Sequence, residues 1–527
     1  MITGKSYIGN TRASDTSAPF RTFNPILNME TPWTFYEASK KEVDQAVNLA
    51  WEAFKDYNAL PGAKKAIFLR TIADEIEGLG TALLETYCQE TGLPEGRAQG
   101  ERGRTCFQLR TFADLVEEGS WVNAKIDTAQ EDRTPLPKPD LRKMSVPIGP
   151  IAVFGASNFP LAYSTAGGDT ASALASGCPV IVKSHPMHAG TGELVASAII
   201  KAAQKTGMPE GVFSNLNSRG IEVGQQLTKH PKIKGIGFTG SISGGRALFD
   251  LAAQRPEPIP VFAEMGSINP VVLLPEALES KGEAWAQTFA SSITLGTGQF
   301  CTNPGLIVGI QGAALESFSE SLASSLLAIT PTSMLHPQIS KNYQKNKKVV
   351  SGEPDVTVLG DYKNEVAANV AQQSVVTVSG ATFLQNKQLH QEVFGPFSMV
   401  VACKDVLELN EVIAHLEGQL TGTIIASEEE LNTHQETVHA LANRVGRIIF
   451  NGVPTGVEVC PAMQHGGPYP ASTDSRFGAV GIDAIQRWVR PLSFQNWPNQ
   501  LLPAALQNEN PLGITRLVNN TATAETI

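Results

Sequence analysis

The chain has 527 residues, 42% hydrophobic and 17% charged, with a formal net charge of −10. That length exceeds one ordinary hydrophobic core, so two or more domains are expected, and the composition excludes a disordered chain. The negative balance argues against a general phosphate-backbone binder, and the absence of an apolar leader or a run of about 18 apolar residues makes the cytoplasm the expected compartment and a membrane an unexpected partner.

Residues 1 to 37 are rich in Thr, Pro and Asn and read as short strands and turns. Ser39-Lys40-Lys41-Glu42 is a capping box, and Val43, Ala46, Val47, Ala50 and Phe54 follow at helical spacing. Helical stretches are predicted over about 63–91, closed by Thr91-Gly92-Leu93-Pro94, and over 95–118, which carries Arg97, Arg102, Arg104 and Arg110. From Gly149 strands alternate with helices: Pro150–Gly155, Pro179–Lys183, Gly211–Phe213 and Ile233–Phe238, with helices near 161–176, 190–206, 220–229 and 244–254. That alternation predicts a parallel sheet wound in βαβ units, which binds ligands at the carboxyl ends of its strands. At those ends stand Ala156-Ser157-Asn158-Phe159-Pro160, Lys183-Ser184-His185-Pro186 and Phe238-Thr239-Gly240-Ser241-Ile242-Ser243-Gly244-Gly245. The third opens a helix whose free N–H groups can meet a phosphate, although it departs from the G-x-G-x-x-G fingerprint.

A second α/β region runs from near Glu264 to about residue 463, with strands expected at Pro270–Leu274, Leu306–Val308, Ser398–Val401, Gly422–Ala426 and Gly446–Phe450. Glu264 stands where the apolar run Val261-Phe262-Ala263 meets Gly266. Cys301 lies in Gly298-Gln299-Phe300-Cys301-Thr302-Asn303-Pro304-Gly305, where little bulk shields the thiol; the other five cysteines read as small hydrophobes in helical or strand-like surroundings. With no C-x-x-C spacing and no pattern among the nine histidines, neither a disulfide framework nor a metal site is expected. Glu392-Val393-Phe394-Gly395-Pro396 joins an acid to a turn, and a helix at about 482–490 precedes a strand near Trp488–Phe494.

Asn158 in Ser-Asn-Phe-Pro, Lys183, Thr-Gly-Ser-x-x-x-Gly from Thr239 to Gly245, Glu264 in Ala-Glu-Met-Gly, Cys301 in Gly-Gln-Phe-Cys-Thr, and Glu-Val-Phe-Gly-Pro from Glu392 together resemble, in this order, the NAD(P)-dependent aldehyde dehydrogenase superfamily. Pro135–Asp140, Gly155–Leu161, Arg255–Pro260 and Gly467–Arg476 are similar to a narrower branch that holds α-ketoglutaric semialdehyde (2,5-dioxovalerate) dehydrogenases and an NADP-dependent long-chain fatty aldehyde dehydrogenase.

The resemblance implies an α/β, aldehyde dehydrogenase-like fold: a Rossmann-type cofactor domain (1–126 and 149–260), an α/β catalytic domain (261–463), an oligomerisation β-flap (127–148 and 484–500) and a C-terminal tail (501–527). It further implies a homodimer or homotetramer. Cys301 becomes the nucleophile, Asn158 with the Cys301 backbone N–H the oxyanion donors, and Glu264 the base that activates the hydrolytic water. For the cofactor it implies Lys183, Ser184, Pro186, Gly240, Ser241, Gly245, Glu392 and Phe394. Many NAD-preferring relatives carry a glutamate three residues after the lysine; Pro186 is neutral there and repels no 2′-phosphate, so NADP is expected ahead of NAD, with Ser184 and Lys183, then His185 and Arg219, as phosphate partners.

The aldehyde tunnel nominates Arg104, Gln108, Phe159, Tyr163, Phe450 and Thr455. A cation and an amide one helical turn apart favour a dicarbonyl acid, hence oxidation of α-ketoglutaric semialdehyde to 2-oxoglutarate in sugar-acid or pentose catabolism. The alternatives are a long-chain fatty aldehyde, a CoA-acylating dehydrogenase, which needs no water-activating base, and a non-catalytic dinucleotide-binding protein.

Overall fold

The computed structural model describes residues 1–527. Its first sheet runs in the order Val261–Glu264, Gly235–Thr239, Ile151–Phe154, Val180–Lys183, Phe213–Leu216, Tyr7–Ile8, Thr11–Arg12. The first five strands are parallel, and Tyr7–Ile8 joins antiparallel through Tyr7 and Asn215. Their residues are buried on both faces, as a doubly covered parallel sheet requires. The chain winds outward from Ile151–Phe154 in one direction and then returns to its other side, so the crevice at the carboxyl ends of Ile151–Phe154 and Gly235–Thr239 lies at a topological switch point. Val261–Glu264 is the edge strand of this sheet, so the first α/β unit extends to Glu264 rather than stopping at 260.

The second sheet runs Thr357–Asp361, Ser374–Ser379, Phe397–Cys403, Leu306–Ile310, Val271–Leu273, Gln419–Ile425, Val445–Phe450, parallel except at its first strand. Each sheet has its own core, one built around Ile151, Val180 and Phe213 and the other around Val272, Val308 and Val401. A third sheet pairs Val489–Gln495 with Leu141–Pro147, then Lys125–Asp127, Arg516–Val518 and Thr521–Thr523. The last residues are therefore strands of this sheet and not a separate tail; Arg516 is buried, and its Nη2 donates to the Glu525 carbonyl at 3.0 Å.

Local departures from the expected elements have identifiable causes. The stretch 63–91 divides into helices Gly62–Gly78 and Gly80–Thr91, because Gly80 adopts a left-handed φ of 58°. The helix expected from 161 begins only at Gly168. The N–H groups of Leu161 and Ala162 donate instead to Glu101 Oε1 at 2.8 and 3.0 Å, which holds the preceding segment in turns. Residues Ile482–Trp488 form a 3-10 helix rather than an α-helix, and Cys460 sits in a loop rather than in a helix or strand. No helix is long and apolar enough to cross a membrane.

Candidate active site

The chain approaches Cys301 through three consecutive left-handed residues, Gly296, Thr297 and Gly298, with φ of 54°, 60° and 66°. A β-branched residue rarely adopts that region. Thr297 is held there by its hydroxyl, 2.7 Å from Thr332 Oγ1 and 3.1 Å from the Ser333 carbonyl. Gly298 has no room for a side chain: a methyl group would fall 2.2 Å from the Gly395 carbonyl carbon, so the cysteine loop lies backbone to backbone on Gly395–Pro396. From the other side the buried Asn269 donates through Nδ2 to the carbonyls of Cys301 (2.8 Å) and Asn303 (2.9 Å), while Thr421 donates to its Oδ1 at 2.9 Å. Asn269 thus fixes the backbone at Cys301, a role that its setting in the sequence does not signal.

Glu264 ends its strand facing this loop. The segment Ala471–Thr473 pairs along the strand's free edge, with Met265 donating to the Ala471 carbonyl (2.8 Å) and Thr473 to the Ala263 carbonyl (3.0 Å). Just upstream, Gly446 and Gly467 permit close backbone approach: a methyl on either would fall 2.0 Å from the Gly466 carbonyl oxygen or 2.2 Å from that of Gln419. These contacts bring His465 beside Glu264. His465 Nε2 lies 2.9 Å from Glu264 Oε1 and 3.6 Å from Cys301 Sγ, and the two side chains are 1% and 4% exposed. The imidazole meets the sulfur in hydrogen-bonding geometry but stands out of line with the carboxylate, so both Glu264 oxygens are buried without a hydrogen-bond partner. Burial raises the Cys301 thiol pKa well above its usual value, and the charges of Glu264 and Glu392 raise it further. A thiol so raised needs a local base to become a nucleophile.

Asn158 is buried and donates through Nδ2 to the Gln299 carbonyl at 3.0 Å; an amide nitrogen carries a second hydrogen, which remains to serve a ligand. The Cys301 N–H donates to no backbone carbonyl. Phe159 packs edge-on against Tyr163 (5.2 Å between centroids) and Phe300 (5.4 Å), and the Tyr163 ring lies 6.0 Å from that of His465. Arg97 covers both Phe159 and Phe300, at 4.6 and 4.8 Å.

One guanidinium, Arg104, meets this aromatic wall at Tyr163, and a second, Arg447, lies near enough to Cys301 and Tyr163 for their charges to act on it. Arg104 donates to the Val457 carbonyl and, at 3.3 Å, to Tyr163 Oη. Arg447, which sequence reasoning missed, donates to the carbonyls of Gly456 (2.9 Å) and Pro454 (3.1 Å). The Nε of each is buried without an acceptor. Burial lowers the Arg447 pKa, partly offset by Cys301 and Tyr163. Two of the other nominated tunnel residues point elsewhere. The Gln108 amide is wedged against Gly168, where a methyl would fall 2.8 Å from Nε2, and Phe450 is 44% exposed at the end of an edge strand. Thr455 Oγ1 meets Ser292 Oγ at 3.1 Å, at the end of the helix leading to the cysteine loop.

The switch-point crevice presents a second set of groups. Ser184 Oγ is buried without a partner, and burial pulls the Lys183 ammonium down to about 8. Pro186 opens a 3-10 turn, and burial drives the neighbouring His185 well below the usual imidazole range, leaving it neutral. Ser241 follows Gly240 and caps the helix Ile242–Ala253 by accepting from the Gly244 N–H at 3.2 Å. Gly245 allows that helix to approach the sheet, since a methyl there would meet Met265 Sδ at 2.6 Å. Glu392 reaches Gly266, and burial pushes its carboxyl up to about 7; Phe394 is half-buried in the same turn. An orphaned hydroxyl, a desolvated ammonium and a helix N-terminus, all at the carboxyl ends of this sheet's strands, suit a ligand carrying phosphates and ribose hydroxyls.

Residues 11–489 match the model of the Aldehyde dehydrogenase family. The chain is 47% identical over 520 residues to alpha-ketoglutaric semialdehyde dehydrogenase 2 of Azospirillum brasilense, covering 98% of this chain and 99% of that protein. It is 46% identical over 521 residues to alpha-ketoglutaric semialdehyde dehydrogenase of Acinetobacter baylyi, covering 99% of each. Among solved structures, betaine aldehyde dehydrogenase of Staphylococcus aureus in complex with NAD+ superposes with a TM-score of 0.81 at 18% identity, over 94% of this chain and 95% of that one. A mutant of the 1-pyrroline-5-carboxylate dehydrogenase of Thermus thermophilus gives 0.79 at 22% identity, over 93% and 92%.

Proposed function

The chain belongs to the aldehyde dehydrogenase family, and from that premise we propose that it oxidises α-ketoglutaric semialdehyde to 2-oxoglutarate with NAD(P), NADP preferred. The observation that carries the substrate is the pair Arg104 and Arg447, each with a buried Nε lacking an acceptor, the first in contact with Tyr163 and the second within reach of the charges of Tyr163 and Cys301. A desolvated guanidinium gains most from an anion, and a dicarbonyl acid brings a carboxylate that a fatty aldehyde lacks. Phe159 and Tyr163 then pack along its short carbon chain, and Thr455 stands at the rim. Gln108 and Phe450 are left out of the substrate set.

In this reading His465 accepts the Cys301 proton, and the resulting thiolate adds to the aldehyde carbon. The Asn158 amide and the Cys301 N–H donate to the oxyanion that forms. The dinucleotide, when bound, supplies the hydride acceptor; Lys183 and Ser184 hold its adenosine end, with Pro186 leaving space for a 2′-phosphate. Gly240, Ser241 and Gly245 admit the pyrophosphate, and Glu392 and Phe394 orient the nicotinamide end. Glu264, with both oxygens free, takes a proton from the water that hydrolyses the Cys301 thioester. A water-activating carboxylate supports hydrolysis over transfer to CoA.

The test is reduced-cofactor formation by the purified protein with α-ketoglutaric semialdehyde and with a series of aliphatic aldehydes, using NADP or NAD, with and without CoA. A kcat/KM far higher for the semialdehyde, independent of CoA and higher with NADP, is expected. A preference for long-chain aldehydes would overturn the substrate assignment and leave the chemistry in place.

A further inference from the structure

Histidine spacing along the chain implies no metal site, yet the fold gathers a thiol, an imidazole and a carboxylate whose ligand atoms all lie within 4.8 Å of one another. We infer that Cys301, His465 and Glu264 form a site for a thiophilic divalent cation, with zinc(II) as the fitting ion, and that occupancy reversibly shuts the enzyme down.

Two of the three ligand–ligand separations are close to those of a tetrahedral zinc site, and the third, sulfur to carboxylate, is at most 4.8 Å. Zinc bonds of about 2.3 Å to sulfur and 2.0–2.2 Å to nitrogen or oxygen place tetrahedral sulfur and nitrogen ligands about 3.6 Å apart and nitrogen and oxygen ligands about 3.3 Å apart. The observed separations are 3.6 Å for Cys301 Sγ to His465 Nε2 and 2.9 Å for His465 Nε2 to Glu264 Oε1. The carboxylate has to recede by about 0.4 Å, a small side-chain rotation. Its two oxygens are buried and unpartnered, and one water completes the four-coordinate set. Thiolate, neutral imidazole and carboxylate suit zinc, whereas magnesium and calcium call for oxygen ligands.

Charge favours the bound state as well. A thiolate and a carboxylate together offset the two positive charges of the ion, so the occupied set is neutral. Binding exchanges the Cys301 S–H bond for an S–Zn bond and releases one proton to solvent, with no change in oxidation state. The bound sulfur no longer has a free lone pair for the aldehyde, and His465 and Glu264 can no longer accept protons. The inference rests on these three side chains and not on which aldehyde is oxidised.

Cobalt(II) added to the reduced, metal-free, full-length enzyme reports the site independently of activity. One equivalent per chain is expected to give thiolate-to-cobalt charge-transfer absorption with the visible bands of a four-coordinate ion, and to release one proton. Zinc(II) is expected to displace it, abolish turnover and be reversed by a chelator. The absorption should vanish in Cys301→Ala, and in wild-type enzyme whose Cys301 has been reversibly blocked as a mixed disulfide, a control that needs no mutant to fold. His465→Ala and Glu264→Gln should each weaken zinc at least about tenfold. Absence of the charge-transfer band, its persistence in both the Cys301→Ala and the blocked enzyme, or wild-type zinc affinity in His465→Ala would each overturn the assignment.

Discussion

His465 Nε2 stands 3.6 Å from Cys301 Sγ across 164 residues of sequence, and no other imidazole is in hydrogen-bonding contact with that sulfur. The thiol is raised by burial and by two carboxylates, and in the proposed sequence His465 is the base that converts it to thiolate. His465→Ala is expected to slow the pre-steady-state burst of reduced cofactor by about 10²–10⁴-fold, the range for loss of a general base. Raising the pH should recover part of the loss, because hydroxide then ionises the thiol directly. A burst unchanged in rate would assign His465 to a later step.

Glu264 acts after hydride transfer in the proposed sequence, so its loss should separate the two halves of turnover. Glu264→Gln should keep a stoichiometric burst while steady-state kcat falls by about 10²–10⁴-fold. Acid quench should trap the accumulated thioester on Cys301. Loss of the burst itself would mean that Glu264 is needed to form the adduct.

The two guanidiniums should show their role in KM and not in chemistry. Arg447→Ala and Arg104→Ala are each expected to raise KM for the semialdehyde by about 10–100-fold, the worth of a charge-assisted hydrogen bond. KM for a short aliphatic aldehyde should stay nearly constant. An unchanged KM for the semialdehyde in Arg104→Ala would remove that residue from the substrate site.

Gly298 should tolerate no side chain. At a φ of 66°, with a methyl group falling 2.2 Å from the Gly395 carbonyl carbon, Gly298→Ala forces the cysteine loop off Gly395–Pro396. A loss of about 2–4 kcal/mol in unfolding free energy is expected, as for other strained and overpacked sites, together with most of the activity. Chemical denaturation and burst titration read the two effects.

Glu392 should make the cofactor-free enzyme less stable as pH rises. Its carboxyl is pushed by burial from 4.5 to about 7, so between those values the folded chain holds a proton that the unfolded chain has released. Stability from this group is present below about 4.5 and is lost as pH climbs through about 7. Glu392→Gln should flatten that part of the Tm profile, measured without dinucleotide. A slope that persists in the variant would point to another group.

How much of the site was legible depended on how locally each residue is determined. Cys301 declares itself through its glycine neighbours, and Glu264 and Asn158 through their places at strand ends, with the role of Asn158 supplied by the family resemblance. His465 does not: its signal is the run Gly466-Gly467-Pro468, whose glycines matter only because Gln419 and Gly446 approach them from strands elsewhere. Gln108 and Phe450 were assigned to the tunnel by position along an element. The helix buries Gln108 against Gly168, and the edge strand leaves Phe450 in solvent, because the direction of a side chain is set by what packs on each face. The alternating strands gave the first sheet nearly intact, whereas the third is made of segments far apart in sequence with no local pattern to link them.

The pairing of Lys125–Asp127 with Arg516–Val518 has a consequence for biosynthesis. A strand made in the first quarter of translation waits for a neighbour that leaves the ribosome almost 400 residues later. The third sheet therefore closes only when synthesis of residues 516–523 is complete. The nascent chain carries an open strand edge until then, and a ribosome that stalls after residue 500 exposes that edge to other chains.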